Sequence, residues 1–84
     1  MYTVTTDEQT QQQLDALPAH ALAPFAELRA TLEVAPWHGD PYNRFKPDSS
    51  MRTHTFGPNG EGLVVYLILE DQRRVDLVNI LWVE

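Results

Sequence analysis

The longest apolar run of the chain, Leu63 to Leu69, most constrains what the chain can fold into. It is seven residues long and carries no charge. A run of this length is typical of a strand covered on at least one face, and it is far shorter than the roughly 18 apolar residues of a membrane span. Turn residues bound it, with Gly57-Pro58-Asn59-Gly60 before it and Glu70 to Arg73 after it. We therefore expect a central strand of a sheet.

Three other segments have the composition of strands. Residues 2–5 are rich in β-branched and aromatic types, and Met51 to Phe56 alternates, with Arg52, His54 and Phe56 on one side. Val75 to Val83 is predicted as the last strand. Strict alternation predicts that one side of this strand carries Val75, Leu77, Asn79 and Leu81 and that the other carries Asp76, Val78, Ile80 and Trp82.

Two helices are predicted between the first and second strands. Thr6 and Gln9 fit a capping box that starts a helix over Asp7 to Leu17. A second helix covers Ala19 to Ala35, where Pro24 either kinks it or starts it. Its apolar stripe recurs at three- and four-residue spacing: Leu22, Phe25, Leu28 and Leu32. The order β–α–α–β–β–β predicts one α+β domain over 1–84, a four-stranded antiparallel sheet with a two-helix hairpin on one face.

Composition narrows the functional classes. The 84 residues include 12 acidic and 6 basic side chains, a formal net charge of −6, which opposes nonspecific binding to nucleic acid or anionic lipid. Cysteine is absent, so disulfides and thiolate chemistry are excluded. The start of the chain lacks the basic and apolar regions of a signal peptide, and a cytoplasmic protein without membrane contact is expected.

The segment from Pro36 to Ser50 has no periodicity and is predicted as a long loop, a kind of segment that is often functional. Residues 41–55 are the only net-positive stretch. Aromatic side chains are interleaved there with basic side chains. Aromatic rings can stack on unpaired nucleobases, and basic side chains can hold phosphates. The candidate nucleic-acid contacts are Trp37, Tyr42, Arg44, Phe45, Lys46 and Arg52. The alternative is that the aromatics close the edge of the core while the bases are solvated.

A metal site is not expected. The three histidines, His20, His38 and His54, are 18 and 16 residues apart, and no pair has the helical spacing common among zinc ligands. No glycine-rich phosphate loop or serine nucleophile motif is present either. We therefore expect no metal and no cofactor.

Three segments of the C-terminal half resemble the RelE/ParE toxin superfamily, and the short RelE-like toxins of actinobacterial toxin–antitoxin pairs in particular. They are Met51-Arg52-Thr53-His54, the run from Gly60 through Val64-Val65-Tyr66 to Leu69, and the stretch from Arg74 to Ile80. The opening Tyr2-Thr3-Val4 and the break at Leu17-Pro18 are similar as well. The resemblance covers essentially the whole chain and implies the toxin component of a type II toxin–antitoxin system, restrained by a small antitoxin protein.

Activity follows from the resemblance in two forms. RelE-like members cut messenger RNA on the ribosome as metal-independent endoribonucleases, with a general acid, a general base and cations at the phosphate, and ParE-like members bind DNA gyrase. The catalytic groups project from the sheet face away from the helices. Here Arg52 is the candidate phosphate-holding residue. His54 is the candidate general acid or base, since its ordinary pKa of about 6.5 allows proton transfer near neutrality.

The sequence departs from the family pattern at several positions. The usual arginine before a Val-Val-Tyr stretch falls on Leu63, and the usual basic pair falls on Trp82 and Val83. With Glu84 as the last residue, the tail that carries a further catalytic group in several members is not expected. These departures favour the alternative, a catalytically degenerate or ParE-like relative that acts by binding a protein. An antitoxin, gyrase or a second copy in a homodimer is then the partner.

Overall fold

A computed structural model describes residues 1–83, so Glu84, the last residue of the predicted domain, lies outside the described part. The strands are β1 (Thr3–Thr5), β2 (Asp40–Pro41), β3 (Met51–Phe56), β4 (Gly62–Leu69) and β5 (Arg74–Trp82). The two α-helices are α1 (Glu8–Asp15) and α2 (Leu22–Val34). The sheet order is β1-β5-β4-β3-β2.

The sheet is five-stranded and mixed, which corrects the predicted four antiparallel strands. β1 pairs parallel with β5, with Val4 opposite Val75, because the chain makes a long crossover through both helices and the other strands before it returns. The fifth strand, β2, is two residues long and pairs with Thr53 and Arg52. Such a short strand inside a proline-containing loop leaves no periodic signal.

The start of each helix has an identifiable cause, and the capping box predicted for the first helix is shifted by one residue. Asp7, rather than Thr6, is the N-cap of α1: its carboxylate accepts the Thr10 amide (2.8 Å), and the Thr10 hydroxyl accepts the Asp7 amide (2.9 Å). Pro24 lies in the first turn of α2, where its missing N–H costs nothing. Of the two alternatives, the position in the first turn is the one observed, in an α-helix that begins at Leu22 after a 3₁₀ turn over Ala19–Ala21 rather than at Ala19 as predicted.

The core lies between the helices and one face of the sheet. From α2 come Phe25, Leu28 and Leu32, while Leu14 of α1 packs against the margin. The sheet supplies Val4, Phe56, Val64, Tyr66, Ile68, Val75, Leu77 and Ile80. The predicted stripe of α2 is confirmed at these three positions, whereas Leu22 is about half exposed (49%).

An irregularity in β5 changes which of its side chains face the helices. Val65 pairs with Asn79 and Tyr66 with Leu77, so Val78 is an extra residue, and Leu77 and Ile80 both reach the core. The strict alternation predicted for the last strand is wrong beyond this point. Beyond Asp76, β5 has no strand partner on the side of β1, and α1 covers this edge. There the Ile80 amide donates to Gln13 Oε1 (2.7 Å), and Gln13 Nε2 donates to Asn79 Oδ1 (2.7 Å).

Candidate functional site

The two faces of the sheet differ in what covers them. Phe56, Val64 and Tyr66 belong to the core, so their side of β3 and β4 is the face that the helices cover. Side chains alternate along a strand, and the residues between them lie on the opposite face. The opposite face, called the open face here, has no helix over it in the described chain. It is formed by Thr3, Thr5, Asp40, Met51, Thr53, Thr55, Leu63, Val65, Leu67, Leu69, Arg74, Asp76, Asn79 and Leu81.

The centre of the open face is apolar. Val65 is buried by its neighbours yet takes no part in the core cluster, and Leu63, Leu67 and Leu69 beside it are half-buried. Leu81 on the adjoining strand is 45% exposed. A solvated sheet face ordinarily carries polar side chains at such positions, so this row is typical of a contact surface.

Arg52, predicted to hold a phosphate, is buried and hydrogen-bonded to backbone carbonyls of the protein. It lies on the helix side of β3, 8% exposed. Its Nε and Nη2 donate to the Gly39 carbonyl (3.1 and 2.8 Å), and its Nη1 donates to the Pro47 and Ser49 carbonyls (3.1 Å each). The guanidinium therefore fastens the long loop to the sheet, and its donors are committed to backbone oxygens.

His54, the candidate general acid or base, lies on that same side. It shares its side of β3 with Phe56, whose ring packs edge-on against Phe25 of α2 with centroids 5.6 Å apart. Its Nδ1 lies 2.7 Å from the Thr55 carbonyl oxygen, and the cross-strand partner is the fully buried Val64. Neither Arg52 nor His54 thus projects from the face that the resemblance implied for catalysis.

Trp37 belongs to a second fastening of the loop. Its ring lies beneath the Arg52 guanidinium (5.3 Å), and its Nε1 donates to Glu70 Oε1 (2.8 Å). Tyr2 also donates to that oxygen (2.7 Å), and Arg73 donates to the other (2.7 Å). These donors, Trp37 first and Tyr2 next, hold the pKa of the Glu70 carboxyl below its usual range. Trp37 therefore helps to order the loop, while 40% of the residue stays exposed.

The remaining candidates gather at one place, residues 42–46, called the loop tip here. A turn closes it, with the Lys46 amide donating to the Asn43 carbonyl (2.8 Å) and the Phe45 amide donating to Asn43 Oδ1 (2.9 Å). Tyr42 is 62% exposed and Phe45 80%, and the Arg44 guanidinium lies 5.1 Å from the Phe45 ring centre. The tip is a small, cationic and aromatic projection.

Sequence reasoning missed a pocket at the border of the open face. β1 ends at Thr5 while β5 continues past the extra residue Val78, and this mismatch leaves a hollow of about 270 Å³. It is lined by Thr5, Thr6, Asp7, Leu67, Asp76, Leu77 and Val78. No sequence pattern pointed to it, because it arises from the parallel pairing and the irregularity together.

Both carboxylates of the pocket are held ionised by hydrogen bonds. Arg74 donates twice to Asp76 (2.8 and 3.1 Å) and Thr5 once (2.6 Å), which lowers the pKa of the Asp76 carboxyl. The Thr10 amide and hydroxyl lower the pKa of the Asp7 carboxyl. Arg74 balances one of these two charges, so the pocket keeps a negative excess.

Within residues 1–83, no group of three or more histidine, aspartate or glutamate side chains is gathered that could hold a metal ion. No helix in that range is long and apolar enough to cross a bilayer.

Comparison with solved structures shows what this arrangement is similar to. The chain superposes on the isolated RelE toxin of E. coli with a TM-score of 0.81 and 10% sequence identity, over 100% of this chain and 86% of that chain. No protein-family model and no curated protein matches the sequence. The predicted RelE-like resemblance is therefore confirmed as a fold, an α+β sandwich of two helices and a mixed sheet.

Proposed function

We propose that the chain is the toxin-type component of a type II toxin–antitoxin pair and that it acts by binding a protein rather than by cutting RNA. The observation that carries the proposal is the apolar centre of the open face. Leu63, Leu67 and Leu81 occupy the centre of the face on which the resemblance implies cations and titratable groups, while Arg74 and Asp76 lie towards its border with β1. An apolar row of this kind is an expected protein contact.

The geometry of the two predicted catalytic residues supports the same choice. Cleavage through a ribose 2′-OH needs a proton acceptor, a proton donor and cations at one phosphate. The donors of Arg52 are committed to three carbonyls, and His54 lies across the sheet from the open face. Catalysis by Arg52 and His54 stays a prediction that this arrangement does not favour.

A small antitoxin is the proposed partner. The fold likeness to a RelE toxin supports it, since the resemblance implies that such chains are restrained by an antitoxin segment wrapped around them. The acidic charge of this chain further supports a partner that is not acidic. DNA gyrase and a second copy are the competing protein partners.

Co-purification with the product of the neighbouring reading frame tests the proposal. We expect a stable complex that the Leu63→Ser, Leu81→Ser pair abolishes, because both changes remove apolar area from the open face. Val34→Ser is the matched control, since Val34 is 71% exposed at the end of α2 and lies away from that face. A complex that survives the pair, or no complex with any neighbouring product, would overturn the proposal.

Weak binding of single-stranded RNA is a second candidate function, supported by the loop tip alone. Tyr42 and Phe45 expose their rings beside Arg44 and Lys46, which is the combination that stacks bases and holds phosphates. Arg52 contributes less to such a contact, because its guanidinium is committed to backbone carbonyls, whereas a role for the Trp37 ring, which is 40% exposed, stays a prediction. Two cations in a molecule of net charge −6 support only weak binding.

A further inference from the structure

The pocket at the end of β1 continues directly into the open face. Leu67 belongs to both, and it carries the apolar row to the hollow beside Val78, which is 41% exposed. A segment lying along the row therefore reaches the pocket without leaving apolar contact. The pocket and the row form one surface.

The charged groups of the pocket favour a positively charged group as its occupant. Asp7 and Asp76 are both held ionised by donors of the protein, and Arg74 is the only cation on the open face or the pocket lining in the described chain. Asp40 adds another carboxylate at the opposite margin of the face, on the exposed strand β2. The surface is apolar in its centre and acidic at its borders.

The lining also selects the shape. Leu67, Leu77 and Val78 give the pocket apolar walls, while the carboxylates lie with Thr5 and Thr6. A lysine or arginine side chain matches both parts of the lining, because its aliphatic stem can contact the apolar walls and its cationic head the carboxylates. Neither a second copy of this chain nor a nucleic acid complements the surface, because each brings negative charge to an acidic border.

We propose that the open face takes an apolar segment of another protein whose lysine or arginine enters the pocket where β1 ends beside β5. The inference rests on the proposed protein-binding function and names the chemistry of the partner. That partner is an amphipathic basic segment, and its cation contacts Asp7 and Asp76.

A displayed library of random peptides is the probe that tests the inference. Peptides are sorted for binding to the chain and against binding to the Leu63→Ser, Leu81→Ser pair, so that only binders of the open face remain. We expect these peptides to be enriched in lysine and arginine relative to the unsorted library. Replacing the recurrent cation of a selected peptide by methionine should weaken binding about fivefold, the upper range for a partly exposed ion pair.

Charge variants of the pocket provide the second measurement. Asp7→Asn with Asp76→Asn should remove the fivefold preference while leaving the apolar contribution, and asparagine keeps the helix cap at position 7. Glu27→Gln with Asp48→Asn removes the same charge from exposed positions elsewhere and should leave the preference intact.

The outcomes separate the two proposals. Peptides that need Leu63 and Leu81 but carry no basic excess, and that ignore the aspartate changes, would overturn this inference and leave protein binding standing. A sort that yields no peptide specific for the open face would overturn both. Self-association of the chain that the leucine changes abolish, measured by sedimentation at several concentrations, would assign the face to a second copy and overturn the inference.

Discussion

At the residue scale, Arg52 decides whether the chain resembles a nuclease or a binding protein. A basic residue on β3 was predictable from the sequence, but its direction was not. Alternation alone gives Arg52, His54 and Phe56 a common side without saying which side the helices cover. The packing of Phe56 on Phe25 answers that question, and it is a long-range contact that local pattern does not encode.

Replacing Arg52 should unfasten the loop and destabilise the whole protein. Arg52→Met keeps the aliphatic stem but leaves the carbonyls of Gly39, Pro47 and Ser49 without their donor. We expect the free energy of unfolding to fall by about 3 kcal/mol, the cost of leaving buried polar groups unsatisfied. Urea denaturation measures it, with Arg44→Met on the exposed loop tip as the control. Equal midpoints for the two variants would contradict the structural role of Arg52.

Tyr66 is the second residue with a measurable signature. Its hydroxyl is fully buried and donates to the Pro36 carbonyl (2.6 Å), and burial raises its pKa to about 12. The unfolded tyrosine loses its proton near pH 10, so the folded state binds more protons between these values. The contribution of Tyr66 to the free energy of unfolding is therefore fully present below pH 10, and it should fall as the pH rises from about 10 to 12. Thermal melts of the wild type and Tyr66→Phe measure it, and a parallel alkaline decline in both would contradict the assignment.

At the element scale, the sequence predicted the helices and the antiparallel strands but not how β1 joins the sheet. Periodicity identifies Met51–Phe56, whereas the length and composition of the apolar run and the turns that bound it identify β4. The parallel pairing of β1 with β5 depends on the path of the whole chain. The extra residue at Val78 shifts the later side chains of β5, which a strict two-residue period cannot anticipate.

The contact between α1 and the free edge of β5 gives a prediction at this scale. Gln13→Ala removes the acceptor of the Ile80 amide and the donor to Asn79. We expect a loss of about 1–2 kcal/mol, the value of a part-buried hydrogen-bond pair. Gln12→Ala is the matched control, one residue earlier on an exposed face of the same helix. Chemical denaturation compares the two, and an equal effect would contradict a role for Gln13 in sealing the edge.

The loop tip should bind single-stranded RNA only weakly and with little dependence on salt. Two phosphate contacts, by Arg44 and Lys46, give a slope of log K against log salt of roughly −1.4, at about −0.7 per phosphate. Titration of labelled RNA measures it, with Arg44→Ala plus Lys46→Ala as the test and Glu27→Gln as a control. Indistinguishable isotherms for the wild type and the double variant would remove the loop tip as a nucleic-acid contact.

At the scale of the whole molecule, likeness of fold leaves the function to be argued from the surface. The chain shares the fold of a RelE toxin at 10% identity, while the centre of its open face is apolar and its net charge of −6 opposes binding to RNA. The departures at Leu63, Trp82 and Val83 were visible in the sequence and already favoured a binding protein. The acidic pocket beside the open face was not visible, because it depends on where β1 ends relative to β5.

The integrity of messenger RNA in a translating extract distinguishes a binding protein from a ribonuclease. We expect the message to stay intact when the purified chain is added, because the centre of the open face is apolar and both Arg52 and His54 lie on the other side of the sheet. Cleavage on the ribosome that disappears in His54→Ala but persists in His38→Ala would contradict the account and assign the chain to the nucleases.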